Sequence, residues 1–221
     1  MNFKAIIFDF DGTLVKLGLD FPLMRASVLD LLLSYGVAPN GLDGLYVLEM
    51  IEAGRKMIEE ASPGEGDRFF QKAYEAIRQI EVAGARRGEL VTGVRDMLSS
   101  LKERGIAVGI ATRNCRDAVL ESFPDIQSFC DTLVTRESTR RVKPDPEQIL
   151  IALRALHVDA SLSAMVGDHP MDIEAGRRAG SFTVGVLTGY SSADALTAAG
   201  ANLIIERATH ITRYLRTKKK G

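Results

Sequence analysis

The stretch AIIFDFDGTL, residues 5–14, decides how the rest of the chain is interpreted. Four apolar residues precede two carboxylates, Asp9 and Asp11, which are separated by a single residue. A short apolar run of this kind is typical of a strand buried on both faces of a sheet. Residues two apart in a strand point the same way, roughly 7 Å apart by rise, so two like charges there are unfavourable unless a positive group joins them. Mg²⁺ takes such oxygen ligands, whereas a simple turn before Gly12 explains the same acids without a metal.

From about residue 90 onward, apolar runs that favour strands alternate with segments of helical period. This alternation is the pattern of a parallel sheet covered by helices. The predicted strands after the first are 106–111, 131–135, 163–167, 181–186 and 202–205. The predicted helices begin near 94, 116, 146 and 193, and a further short helix ends at 179. The sequence therefore predicts an α/β fold, with a Rossmann-like parallel sheet core and helices on both faces.

Residues 15–88 show helical periodicity and no convincing strand, which indicates an insertion. Three helices are predicted, at Pro22–Tyr35, Leu42–Ala61 and Asp67–Arg86. The domain prediction is an α/β core formed by residues 1–14 and 89–221, with an inserted all-helical cap domain at 15–88. An insertion after the first strand lies at the carboxyl end of the sheet, where such sheets bind ligands, so we expect a lid.

Polar side chains follow the other predicted strands at the points where those strands end. Because the carboxyl ends of parallel strands share one edge of the sheet, these side chains are expected to meet Asp9 and Asp11. The residues concerned are Thr112, Arg113, Asn114, Lys143, Asp168 and Asp172.

The segment Lys143-Pro144-Asp145-Pro146 precedes a predicted helix. Pro144 disfavours helical geometry at Lys143, while Asp145 and Pro146 are expected to form the N-cap and the first helical residue. In isolation, a solvated lysine before a capped helix is the better interpretation of the segment. Asp168 is a candidate cap for the helix that follows it.

Four segments in order resemble the motifs of the haloacid dehalogenase superfamily. They are DFDGT at 9–13, Thr112 after an apolar strand, Lys143 in KPDP, and GDHPMD at 167–172. The helical insertion is similar to the cap of the phosphoglycolate phosphatase branch. The second acid, Asp11, points to the phosphatases of this superfamily, because the dehalogenases proper lack it.

The resemblance implies that Asp9 is a nucleophile, that Asp11 is a general acid and base, and that Thr112 and Lys143 bind the phosphoryl oxygens. It further implies a Mg²⁺ ion held by Asp9, the backbone carbonyl of Asp11 and Asp168, with Asp172 assisting. Candidate substrate-binding residues are Gly12, by approach of its backbone N–H, and Arg113 and Asn114, although a solvent-facing Arg113 fits equally.

The predicted function is a Mg²⁺-dependent phosphatase that hydrolyses a small phosphorylated metabolite through an aspartyl-phosphate. A phosphomutase, a phosphonatase or a pyrophosphatase on the same core stays open. A phospho-accepting receiver module is the alternative from another class, but receivers present an acidic pair first and the phosphorylated aspartate on a later strand.

The composition restricts partners and compartment. The 221 residues carry 28 basic and 29 acidic side chains, a formal net charge of −1, so no overall field favours nucleic acid or a membrane surface. No run of 18 apolar residues is found, and Cys115 and Cys130 form no CxxC motif. We expect a cytoplasmic protein that binds a small phosphorylated substrate but neither nucleic acid nor membrane, with its oligomeric state, monomer or dimer, left open.

Overall fold

The computed structural model describes residues 1–16 and 18–215, which form two compact units. One unit contains the residues before Gly18 and those from Arg87 onward, and the other is Gly18–Arg86. The insertion boundaries expected from the sequence, 15 and 88, differ slightly, because residues 15–16 pair with residues 89–90 in a two-stranded antiparallel ribbon of the first unit. Strands of two residues are too short to show a period in a sequence. The end of the basic C-terminal tail, from Arg216 onward, lies outside the described residues.

Eight strands and eight α-helices lie within the described residues. The strands are β1 Ala5–Phe8, β2 Val15–Lys16, β3 Glu89–Leu90, β4 Ala107–Ala111, β5 Thr132–Val134, β6 Ser163–Gly167, β7 Phe182–Val186 and β8 Leu203–Ile205. The helices are α1 Phe21–Ser34, α2 Val47–Ala61, α3 Gly66–Ala85, α4 Val94–Glu103, α5 Arg116–Ser122, α6 Glu147–Leu156, α7 Pro170–Ala179 and α8 Ala193–Ala198. The longest of these helices has 20 residues, and among the described residues no helix combines the length and apolar character needed to cross a membrane.

The main sheet of the described residues has six parallel strands in the order β5-β4-β1-β6-β7-β8. This is the strand order of a Rossmann fold, and it confirms the predicted Rossmann-like parallel sheet. In the register, Ile7 of β1 lies opposite Gly109 of β4 and Met165 of β6. The chain builds the sheet outward from β1 in both directions, so β1 lies where the strand order reverses. Ligands bind beyond the carboxyl ends of strands at that point in folds of this kind.

The residues of β1 alternate between two hydrophobic clusters. Ile6 and Phe8 belong to one cluster, and Ala5 and Ile7 belong to the other. Because successive strand residues point to opposite faces, the two clusters lie on the two faces of the sheet. Helix α4 packs into the first cluster, and helices α6 and α7 pack into the second. The predicted arrangement of helices on both faces is therefore confirmed.

The second unit consists of α1, α2 and α3 packed together. A close contact occurs at Gly54, where an added Cβ would lie 2.8 Å from Leu32 Cδ2 and 2.9 Å from Phe69 Cζ. Leu32 is one of the buried residues of α1. Helix α2 begins at Val47, five residues after the expected Leu42. The carbonyls of Leu42 and Leu45 accept hydrogen bonds from the Arg25 guanidinium, which stabilises this segment as a loop.

Candidate active site

The carboxyl ends of β1, β4 and β6 place three polar residues on one edge of the main sheet. Asp9 follows β1 and donates its backbone N–H to Val166 of β6, at 2.8 Å. Thr112 follows β4, and Asp168 follows β6. All three are buried. The convergence expected from parallel strands is therefore present for these side chains.

Lys143 joins this group from the loop before α6. Its ammonium Nζ lies 2.5 Å from Asp9 Oδ1 and 2.6 Å from Asp172 Oδ1, and the residue is 1% exposed. Burial lowers the pKa of Lys143, but the Asp172 and Asp9 carboxylates outweigh burial, so the pKa is raised above its usual value. The solvated-lysine alternative is wrong, because the side chain is a buried cation shared by two carboxylates.

Asp9, Asp168 and Asp172 form a buried acidic cluster. One carboxylate oxygen from each lies within 4.8 Å of the others. Burial raises the pKa of Asp9 to about 6 against the opposing effect of Lys143, and burial together with Asp9 and Asp172 raises the pKa of Asp168 to about 8. The ionised forms of Asp9 and Asp168 are therefore disfavoured in the protein alone, even with Lys143 beside Asp9.

A divalent cation fits this cluster. Three ionised carboxylates and one ammonium leave two negative charges, and the donors are hard oxygens of the type that Mg²⁺ and similar cations bind. Thr13 Oγ1 donates to Asp168 Oδ1 at 3.0 Å, which orients that carboxylate. The residues that could hold a metal are thus Asp9, Asp168 and Asp172.

The Asp11 side chain lies in a separate part of the site. Its carboxylate oxygens accept hydrogen bonds from Asn114 Nδ2 at 3.0 and 3.2 Å, and Thr112 Oγ1 lies 3.5 Å away. The expectation that Asp9 and Asp11 share one side of a strand is wrong, because β1 ends at Phe8 and Asp11 belongs to the turn that follows. Among the described residues, the acidic cluster does not include the Asp11 carboxylate.

Asn114 is held in a defined orientation. Its backbone N–H donates to Thr112 Oγ1 at 3.0 Å, and its side-chain Oδ1 accepts from the backbone N–H of Cys115 at 2.8 Å. The side-chain carbonyl is thereby engaged, so the amide NH₂ faces Asp11. Asn114 was predicted as a substrate-binding residue, and the structure places it as the hydrogen-bond partner of Asp11.

Gly12 lies in the left-handed region of backbone space, with φ at +82°. Its N–H donates to the Val15 carbonyl at 2.8 Å, so it closes the turn and is not directed at a ligand as the sequence suggested. Its carbonyl accepts from Thr188 Oγ1 at 2.5 Å. The next residue after Thr188, Gly189, packs so closely on Asp168 that an added Cβ would overlap the carboxylate.

Arg113 contacts the loop that carries Lys143. Its guanidinium donates to the Lys143 backbone carbonyl and lies 3.2 Å from Met171 Sδ. The guanidinium therefore lies within the site and not in open solvent, and its contact with a substrate stays a prediction. The helix prediction here was one residue early, since α6 begins at Glu147, whose N–H donates to Asp145 Oδ1 at 3.0 Å.

His169, not Asp168, caps helix α7. Its imidazole Nδ1 accepts from the backbone N–H of Met171 at 3.2 Å, while Asp172 Oδ2 accepts from the His169 N–H at 3.0 Å. Burial lowers the pKa of His169, which favours the neutral ring required of an acceptor. This capping box fixes Asp172 in the first turn of the helix, with its other oxygen on Lys143.

Sequence reasoning missed three residues that support the site. Thr188 and Gly189 follow the carboxyl end of β7, the next strand after β6, and a search of that strand end would have found them. Gln148 lies within α6, and its buried side chain bonds to two motif residues. A single polar residue on a helix gives no sequence signal of such a role.

Comparison with known proteins gives one family and a consistent set of relatives. The family of haloacid dehalogenase-like hydrolases matches residues 6–186. A pyrophosphatase, PpaX, from Bacillus velezensis is 34% identical over 218 residues, covering 94% of this chain and 95% of the relative. A phosphoglycolate phosphatase from Pseudomonas fluorescens is 27% identical over 212 residues, covering 92% of this chain and 76% of the relative. The crystal structure of a hydrolase from Pseudomonas syringae has the same fold, with a TM-score of 0.71 and 21% identity, covering 96% of this chain and 100% of that one.

Proposed function

Because the chain belongs to the haloacid dehalogenase-like hydrolases, we propose that it is a Mg²⁺-dependent phosphatase acting on a small phosphorylated metabolite. The observation that carries the proposal is the position of Lys143, whose ammonium bonds to Asp9 and Asp172 within a buried acidic cluster. A carboxylate can attack an anionic phosphoryl group only if the charge on both is neutralised nearby. Bound Mg²⁺ would supply the remaining positive charge and polarise the phosphoryl oxygens.

In the first half-reaction, a carboxylate oxygen of Asp9 forms a bond to phosphorus and the bond from phosphorus to the ester oxygen breaks. The proton carried by Asp11 passes to that leaving oxygen. In the second half-reaction, water attacks the same phosphorus, its proton returns to Asp11, and the bond to Asp9 breaks to release phosphate. Each half-reaction is an easier step than one direct displacement.

The hydrogen bonds to Asp11 bear on its two roles. Asn114 Nδ2 donates to both carboxylate oxygens, and donors of this kind stabilise the ionised form. This contact favours Asp11 as the base of the second half-reaction, and it holds the carboxylate beside Thr112, the proposed ligand of the phosphoryl group.

The helical unit Gly18–Arg86 is proposed to act as the cap domain. The predicted catalytic and metal-binding side chains all belong to the other unit, so recognition of the leaving group is assigned to the helical unit. Exclusion of water during phosphoryl transfer is the second role that a cap would serve.

Hydrolysis of inorganic pyrophosphate is a second candidate function. It is favoured by the relative at 34% identity, which is a pyrophosphatase. Phosphate is a better leaving group than an alkoxide and needs less protonation, so pyrophosphate hydrolysis would depend less on Asp11. A phosphate-release screen over sugar phosphates, phosphoglycolate, nucleotides and pyrophosphate separates these substrates.

The direct test uses p-nitrophenyl phosphate with Mg²⁺. Phosphate release is expected from the wild type and should fall by about three orders of magnitude or more with EDTA or in Asp9→Asn. Asp125→Asn is the matched control, because it makes the same chemical change at a carboxylate that forms a surface ion pair with Arg95. Full activity in Asp9→Asn would exclude Asp9 as the nucleophile.

A further inference from the structure

Gln148, the second residue of α6, is completely buried and joins two parts of the site. Its side-chain Nε2 donates to the backbone carbonyl of Thr112 at 2.7 Å. Its side-chain Oε1 accepts from the backbone N–H of Lys143 at 3.1 Å. One amide thus connects the end of β4 to the loop before α6.

A glutamine at this depth needs a reason. An apolar side chain would fill the same space, as neighbouring Ile149 does in the hydrophobic cluster on that face of the sheet. Burying an amide costs free energy unless its polar atoms are hydrogen-bonded. Unlike an apolar residue, the glutamine fixes the distance between the Thr112 carbonyl and the Lys143 N–H.

The two backbone positions belong to the proposed phosphoryl ligands. The Thr112 peptide is held on both sides, since its N–H donates to Val134 at 3.0 Å and its carbonyl accepts from Gln148. The Lys143 residue is also held twice, since Gln148 accepts its N–H and Arg113 donates to its carbonyl. The long lysine side chain therefore starts from a fixed point.

We propose that Gln148 is a positioning residue that sets the spacing between the Thr112 hydroxyl and the Lys143 ammonium. The proposal rests on the proposed function, in which these two groups bind the transferring phosphoryl oxygens. A displacement of about 1 Å in such a group can cost up to about 100-fold in rate. Loss of the link is therefore expected to weaken phosphoryl binding and slow turnover beyond any effect on stability.

The test compares Gln148→Met with Thr183→Val. Methionine keeps the length and removes both hydrogen bonds. Thr183 is a matched control, because it is also fully buried and also bridges a carbonyl, that of Gly200, and an N–H, that of Asn202, away from the acidic cluster. Binding of inorganic phosphate is measured by calorimetry with Mg²⁺ present, turnover is measured with p-nitrophenyl phosphate, and both are corrected for the folded fraction.

In Gln148→Met, phosphate binding is expected to weaken by about fivefold or more and kcat to fall by about tenfold or more. Thr183→Val is expected to lose stability but to keep both values within about twofold of the wild type. If Gln148→Met does not fold, Gln148→Asn replaces it, since the shorter amide retains the polar groups but pulls the two backbones together, and the same losses are expected.

Stability loss in the Gln148 variant with phosphate binding and kcat equal to the control would overturn the proposal. This result differs from failure of the proposed function, which would appear as no phosphate release by the wild type. Phosphate binding needs no turnover, so it tests the role of Gln148 in either event.

Discussion

Lys143 makes the charge balance of the site depend on one side chain. Its ammonium bonds to one oxygen of Asp9 and one of Asp172, and all three groups are buried. Removing one partner of a buried ion pair leaves an uncompensated charge, which commonly costs 3–5 kcal/mol. The same contact lowers the pKa of the Asp9 carboxyl against the stronger effect of burial. The residue that neutralises Asp9, the proposed nucleophile, thus also offsets the charge of Asp172.

The acid role of Asp11 is tested by Asp11→Asn across a series of leaving groups. Asparagine keeps the shape but cannot transfer the proton, so kcat/KM, which reports the first half-reaction alone, should fall by about 10²- to 10⁴-fold with poor alkoxide leaving groups. The loss with p-nitrophenol, which leaves without protonation, should be much smaller. Equal losses along the series, measured by phosphate release, would argue against proton transfer by Asp11.

Gly189→Ala tests the packing around Asp168. An added Cβ would overlap the Asp168 carboxylate and displace it from the acidic cluster. Affinity for Mg²⁺, measured by the metal-dependent rise in Tm, should fall by about tenfold or more, as is typical when a ligand loses its support. Gly93→Ala is the control, because it places alanine at a φ of +86° in a loop before α4, where the nearest atom is 3.7 Å away. It should lower stability by about 1–2 kcal/mol and leave the Mg²⁺ affinity unchanged.

At the scale of secondary structure elements, the parallel strands position the chemistry and the helices hold it. Asp9, Thr112 and Asp168 each lie directly after a strand, whereas Lys143 and Asp172 are held by the starts of α6 and α7. Gln148 bonds to the backbone of Lys143 before α6, and the capping box of His169 holds Asp172 at the start of α7. The candidate site is therefore built from the ends of strands and the starts of helices in the α/β unit.

The three-helix unit is tested by Gly54→Val. Gly54 lets α2 approach Leu32 of α1 and Phe69 of α3, and the larger side chain would be forced against both. Overpacking of this kind costs about 1–3 kcal/mol, and thermal unfolding should show a lower Tm. Glu52→Val makes a β-branched substitution at an exposed position of the same helix and should cost only a few tenths of a kcal/mol. Equal effects of the two changes would contradict this packing.

Most strands and helices could be predicted from the sequence, because apolar residues recur in it with a clear strand or helix period. The strands of the main sheet and helices α4, α5, α6 and α8 begin within about one residue of their expected positions, and α7 ends at the expected Ala179. Apolar runs and prolines mark these elements well. The late start of α2 depends on Arg25, which bonds to two carbonyls of the preceding loop. Such a tertiary contact has no signal in the local sequence.

For the whole molecule, the strand order of the sheet confirms the predicted fold, and the family match confirms the predicted family. The parallel α/β fold and the family resemblance predicted from the four motifs are confirmed. The motifs could be found because each requires particular residues after a strand. The direction of each side chain could not be predicted from the sequence, since it is set by hydrogen-bond partners distant in sequence. Asp11 shows this, because Asn114, 103 residues away, holds it apart from the acidic cluster.

The acidic cluster also predicts how stability depends on pH. Burial raises the pKa of Asp168 from 3.8 to about 8, so between these values the folded, metal-free protein binds more protons than the unfolded chain. Stability contributed by this group is therefore present below about pH 4 and is lost as the pH rises toward 8, by up to about 1.4 kcal/mol per pH unit. In EDTA, Tm should fall from pH 5.5 to 8.5, and saturating Mg²⁺, which competes with these protons, should reduce the fall.

Asp168→Asn provides the comparison for this pH dependence. The neutral amide cannot titrate, so the fall in Tm with pH should be smaller than in the wild type. The lowered pKa of His169 acts in the opposite direction near pH 6.5, but it is present in both proteins. The same pH dependence in the two proteins would show that Asp168 is not the titrating group.

The central claim, that Asp9 attacks phosphorus, is tested most directly by acid quenching during turnover. Acyl phosphates survive acid, so a proteolytic digest analysed by mass spectrometry should show one phosphoryl group on Asp9 in the wild type and none in Asp9→Asn. A phosphoryl group trapped on another residue during turnover by the wild type would contradict the mechanism.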